Sequence, residues 1–82
     1  MQITVENTEK KIDAYKVMCY VYSVIIENPV EWIGLDTSQY KKKKLMLKGV
    51  MYYFEDKQEF EKCNNLKKVS EVINYLYTVL SN

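Results

Sequence analysis

An all-α fold, a small bundle of three main helices with a one-turn helix at Pro29, follows from three observations in the sequence. Polar residues recur every three or four positions over 9–27. Apolar residues recur at the same interval over 60–80. Between these stretches, Asn28-Pro29-Val30-Glu31, Asp36-Thr37-Ser38-Gln39 and Asp56-Lys57-Gln58-Glu59 each place a short acceptor side chain three residues ahead of Glu or Gln. That is the spacing of a capping box, in which two side chains satisfy orphan backbone N–H groups at a helix start. The 82 residues hold one domain (1–82), and 48% hydrophobic with 28% charged residues is neither a disordered nor a membrane-spanning composition.

The elements are expected as follows. Ile3-Thr4-Val5 favours extended backbone and has no partner strand, so 1–7 reads as a short extended N-terminal arm. Glu9, Asp13, Lys16, Tyr20, Ser23 and Glu27 draw one polar stripe along a helix over 8–27. The many β-branched and aromatic residues there favour strand locally, but a strand would need a period of two. Asn28 caps a single turn with Pro29 at its first position, Gly34 ends it, and Trp32 and Ile33 point inward. Asp36 caps a helix over 37–55, with Leu35 and Tyr40 spaced as a hydrophobic staple. Poor alternation argues against a strand pair over 45–54. Gly49 inside the helix costs about 1 kcal/mol against alanine and suggests a close crossing or a kink. Asp56 caps a last helix over 57–80, whose stripe is Phe60, Cys63, Leu66, Val69, Ile73, Leu76 and Leu80. A separate helix after Asn64-Asn65 would put Lys67 and Lys68 in a first turn, against the helix dipole, so one helix is expected.

Composition excludes more functions than it suggests. All twelve cations are lysines, so the bidentate fork that reads guanine is missing. The chain has no histidine, the commonest general base and metal ligand. Cys19 and Cys63 form no zinc spacing and read as free thiols of a reducing cytosol. No nucleophile–base pattern, phosphate loop or dinucleotide motif is present. We therefore expect no enzyme, cofactor or metal site. No secretory signal or bilayer-length apolar run is visible, which suggests a cytoplasmic protein without membrane contact.

The local anomaly is Tyr40-Lys41-Lys42-Lys43-Lys44, followed by Lys48. Between Thr37 and Phe54 stand five lysines and no acid, while Glu55 to Glu61 holds four acids and one lysine. Lysines at a helix start oppose its dipole and repel each other. Either they form a solvated face balanced by the acidic segment, or they dock phosphates or an acidic protein surface. Lys41, Lys42, Lys43, Lys44 and Lys48, with Tyr40 and Tyr52, are the candidate partner-binding residues. On the dipole argument, replacing the first four lysines by glutamine should leave stability intact. Eight tyrosines suit either amphipathic packing or an interface.

The sequence supports a small non-enzymatic protein-binding regulator or inhibitor that occludes a host protein or complex. Its Lys-, Tyr-, Ile- and Asn-rich composition fits an A+T-rich phage or mobile element. The alternative is a nucleic-acid-associated regulator using the Lys41–Lys48 face, although no base-reading helix-turn-helix can be placed there. A first helix apolar on most of its circumference suggests a homodimer through that helix or the C-terminal one.

Overall fold

The computed structural model describes residues 13–81. It consists of α1 (Ala14–Glu27), α2 (Pro29–Ile33), a 3-10 turn (Thr37–Gln39), α3 (Tyr40–Asp56) and α4 (Phe60–Ser81), with no strand among the described residues. The all-α bundle is thus confirmed, and 45–54 is helix rather than a strand pair. The arm expected over 1–7 lies outside the described residues.

Helix α1 begins at Ala14 rather than Thr8. Asp13 has extended backbone, and its Oδ1 accepts a hydrogen bond from the Tyr15 N–H at 2.9 Å. The residue expected within the polar stripe is therefore the N-cap, where a short carboxylate satisfies an orphan donor. From Lys16 onward the stripe holds, with Lys16, Tyr20, Ser23 and Glu27 all exposed, while Glu9 lies outside the described residues. Ile25 is buried, and Met18, Val21, Tyr22 and Ile26 pack half-buried against the core. That packing overrides the strand propensity of the segment. Val17 and Val24 on the far side remain 45% and 42% exposed.

Asn28 ends α1 and caps α2, its Oδ1 accepting from the Glu31 N–H at 3.3 Å. Pro29 occupies the first turn, where its missing N–H has no partner to lose. Gly34 stops the turn at φ 75° and ψ −177°, a region essentially confined to glycine, and donates its N–H to the Val30 carbonyl at 2.9 Å. Ile33 is buried and Trp32 half-buried beneath the bundle end, as expected. Asp36 Oδ1 accepts from the Ser38 N–H at 3.1 Å and the Ser38 hydroxyl at 2.7 Å. The first turn is consequently 3-10, and α3 starts at Tyr40 rather than Thr37. No staple forms, for Leu35 is 71% exposed while Tyr40 is 3% exposed. The Tyr40 hydroxyl donates to the Gly34 carbonyl at 2.7 Å, which draws its ring beneath α2 and away from Leu35.

The third capping signature is misplaced by the sequence. Asp56 is the last residue of α3, and α4 starts at Phe60 rather than Lys57. The Gln58 N–H donates to the Glu55 carbonyl and the Glu59 N–H to the Phe54 carbonyl, both at 2.9 Å. This paired pattern is a Schellman motif, with Gln58 at φ 62° in the position that usually holds glycine. An Asp followed by Glu three residues later fits the end of one helix as readily as the start of the next. The stop is placed here because Phe54 must stay in the core at 0% exposure while the chain reverses. Phe60, expected in the core, is consequently 59% exposed, and Leu80 at the far end is 43% exposed. The centre of the stripe holds, with Leu66, Val69 and Ile73 buried and α4 unbroken through Asn64-Asn65.

Helices α3 and α4 form an antiparallel hairpin, since Tyr40 stacks near Tyr77, Lys44 bonds Asn74, and the Cys63 thiol donates to the Met51 carbonyl at 3.3 Å. α1 packs on the hairpin near its turn. There Phe54 meets Tyr15, Tyr22 and Tyr53 edge-on, with centroids 6.2, 5.7 and 5.3 Å away. Edge-to-face pairing adds to the apolar burial of the rings. Asn65 Nδ2 donates to the Tyr22 hydroxyl at 2.8 Å, tying α4 to α1. Among the described residues no buried side-chain nitrogen or oxygen lacks a partner.

Gly49 has no neighbour within 4 Å of where a Cβ would stand, so the close crossing expected there is absent. Gly49→Ala should accordingly raise stability by about 1 kcal/mol. Gln58→Gly should add up to about 1 kcal/mol by relieving left-handed backbone. Asn28→Ala should lose about 1 kcal/mol with the α2 cap. Urea denaturation midpoints read all three directly.

Candidate functional site

The acid-free stretch of α3 places Lys41, Lys44 and Lys48 at spacings of three and four, on one face of the helix. The hairpin brings that face against Lys67, Ser70 and Asn74 of α4. Between them runs an open groove of about 840 Å³. Leu47 and Ile73 lie beneath it at 1% exposure each, the apolar surface left open belongs to Met51, Leu45 and Tyr77, and Tyr40 and Tyr77 stand at one end. The four ammonium groups on its walls face no lining carboxylate. Lys44 Nζ donates to Asn74 Oδ1 at 2.8 Å across the groove. That neutral acceptor leaves the charge uncompensated and available to an incoming anion.

Of the residues expected from sequence, Tyr40, Lys41, Lys44 and Lys48 meet in this groove. Tyr40 contributes a buried ring rather than an exposed contact. Lys42 is exposed and does not line the groove, and Tyr52, 60% exposed, also lies outside it.

Lys43 turns the other way. Its Nζ donates to the Trp32 carbonyl at 2.6 Å and the Ile33 carbonyl at 2.9 Å, and lies 5.4 Å from the Trp32 ring centroid. A cation is thereby placed on the carbonyl end of α2, the favourable sign for the helix dipole. The expectation that all four lysines could be neutralised without loss fails at Lys43, because its tertiary bonds outweigh its position at the start of α3. Sequence reasoning also missed Lys67, Ser70, Asn74 and Tyr77. Their spacing of 3, 4 and 3 marks a common face, but only the hairpin register sets that face opposite the lysines.

A second cluster of titratable groups sits at the α3–α4 turn. Lys62 Nζ bonds Glu59 Oε1 at 2.7 Å and lies 5.6 and 5.7 Å from the Tyr22 and Phe54 centroids. The Lys62 bond, with help from the Tyr15 hydroxyl, holds the Glu59 carboxyl below its ordinary value. The same Glu59 bond raises Lys62, and bonding to Glu59 pushes the Tyr15 phenol well up. Burial pushes the Cys63 thiol up, the opposite of an activated nucleophile. The arrangement fastens α1 to the turn. Among the described residues, no group of three or more His, Cys, Asp or Glu could hold a metal ion. No helix among them is long and apolar enough to cross a membrane. Comparison with protein families, with curated proteins and with solved structures finds no match.

The lysines should separate by stability. Lys43→Gln should cost about 1–3 kcal/mol through two lost charge-assisted bonds. The triple variant Lys41→Gln, Lys44→Gln, Lys48→Gln should keep the wild-type thermal midpoint or exceed it slightly.

The midpoint should also depend on pH in both directions. Bonds from Ser38 depress the Asp36 carboxyl below its ordinary 3.8, and Glu59 is depressed below 4.5. Their contribution is complete above those values and is lost as acid protonates the folded groups. Tyr15 is raised above 10.0 and Lys62 above 10.5, so their contribution is complete below about pH 10 and is lost as pH rises further. Thermal melts should show a plateau between about pH 6 and pH 9, falling on each side. Glu59→Gln should shallow both slopes.

Proposed function

We propose that this chain is a small non-enzymatic binding protein, a regulator or inhibitor that acts by docking an acidic surface of another protein in the α3–α4 groove. One observation carries the proposal: four lysines surround an apolar floor with no carboxylate among the lining residues. A groove of that kind attracts carboxylates over distance and rewards apolar contact once they arrive. Two free thiols fit work in a reducing compartment. Exposed Tyr20 beside Val17 and Val24, and Tyr75 beside Val79, leave α1 and the end of α4 as surfaces for self-association. A homodimer through either is part of the same proposal, and sedimentation at high micromolar concentration reads it.

Nucleic-acid association is the weaker alternative. A phosphate backbone would neutralise the lysines but set its charge against Leu45, Met51 and Tyr77.

The test is recovery of partners from the native source with wild-type protein and with the variant Lys41→Gln, Lys44→Gln, Lys67→Gln. Wild type should enrich a protein that the variant loses, with the purified pair associating about tenfold more slowly in the variant. Equal recovery by both would remove the groove as the docking surface. Enrichment of nucleic acid, with affinity falling steeply as salt rises, would favour the alternative.

A further inference from the structure

We infer that the occupant of the α3–α4 groove is an acidic amphipathic helix of about three turns, laid along the hairpin as an additional bundle helix. The inference rests on the proposed docking function and specifies its partner.

Three features select a helix. The groove lies between two antiparallel helices, and its α3 wall from Lys41 to Met51 runs roughly 15 Å at 1.5 Å per residue. Interior backbone N–H and C=O groups of both walls are spent within α3 and α4, so an extended peptide finds no strand edge to pair with. A helix satisfies its own backbone and needs only side-chain contact. Met51 on the floor, with Leu45 and Tyr77 at the rim, then receives residues at i, i+3 or i+4, and i+7 of the incoming helix, the spacing of a packed seam.

Charge selects its polar residues. Lys41, Lys44 and Lys48 stand on one wall and Lys67 on the other, so carboxylates are wanted on both flanks of the apolar stripe. An incoming carboxylate can replace Asn74 as the acceptor for Lys44, exchanging a neutral partner for an anionic one. Leu45 and Tyr77, 63% and 53% exposed at the rim, would be covered.

The test uses a fluorescein-labelled synthetic peptide of about 15 residues, with Leu on one stripe and Glu on its flanks. The comparators are a scrambled peptide of identical composition and a single-stranded oligothymidine of equal length. Binding is read by anisotropy and mapped by backbone amide shifts on the full-length protein.

The amphipathic peptide should bind more tightly than either comparator, shifting amides of 41–51 and 67–77. The variant Lys44→Gln, Lys48→Gln, Lys67→Gln should weaken it about tenfold or more, with an unchanged melt showing that the fold is intact. Lys42→Gln, outside the groove, should leave binding unchanged. Equal binding of the scrambled peptide, tighter binding of the oligonucleotide, absence of binding, or shifts elsewhere would each overturn the inference.

A photo-crosslinker replacing Ser70 separates the two levels of the claim in the native source. Crosslinking to an acidic helical segment of a protein supports both levels. Crosslinking to an acidic protein segment that is not helical would overturn the helix and keep the docking function, and crosslinking to a segment that is not acidic would overturn both. Failure to crosslink any protein would overturn both.

Discussion

Three consecutive carbonyls at the end of α2 govern how this chain is put together. Those of Trp32 and Ile33 accept from the Lys43 ammonium, and that of Gly34 accepts from the Tyr40 hydroxyl. A helix of five residues cannot satisfy its own carbonyl end. The first turn of α3 supplies the missing donors, which seats Ile33 in the core and fixes the direction in which α3 departs. Tyr40 carries both duties, because its hydroxyl holds Gly34 while its ring closes one end of the groove.

That junction divides the lysine run by role. Consecutive helical residues point about 100° apart, so four lysines in a row cannot share one surface. Lys43 faces α2 and acts in the fold. Lys41 and Lys44 face α4 and, joined by Lys48 a turn later, line the groove. Lys42 faces solvent. A feature that looks like one basic patch in the sequence is therefore a structural cation, three groove cations and a bystander.

The far end of the hairpin is held differently, by aromatic packing and one ion pair. Phe54 sits among three tyrosine edges with the Lys62 ammonium close by, and Glu59 binds Lys62 three residues further on, at the start of α4. The acidic segment beside the lysine run is thus committed in part to a local pair at the start of α4, and Glu59 is unavailable to balance the groove. Tyrosines divide by position: Tyr15, Tyr22, Tyr40 and Tyr53 pack inward, while Tyr20, Tyr52, Tyr75 and Tyr77 remain exposed. Of the exposed set, Tyr20 lies on the polar stripe of α1.

Sequence alone determined the helical class, the Asn28 and Asp36 caps, the Gly34 stop and the central stripe of α4. Each of these depends on neighbours within about one to two turns, where periodicity and side-chain reach are local properties. Half of the groove was legible for the same reason, since Lys41, Lys44 and Lys48 share a face by spacing alone. Only the tertiary structure decided the rest. It moved the start of the last helix from Lys57 to Phe60, because burying Phe54 and reversing the chain set where α3 ends. It turned Lys43 toward carbonyls ten and eleven residues upstream, and it brought Lys67 and Asn74 opposite Lys44 through a register that no local pattern encodes. Contacts across a helical hairpin depend on where the turn falls, and that is fixed by what the whole core can bury.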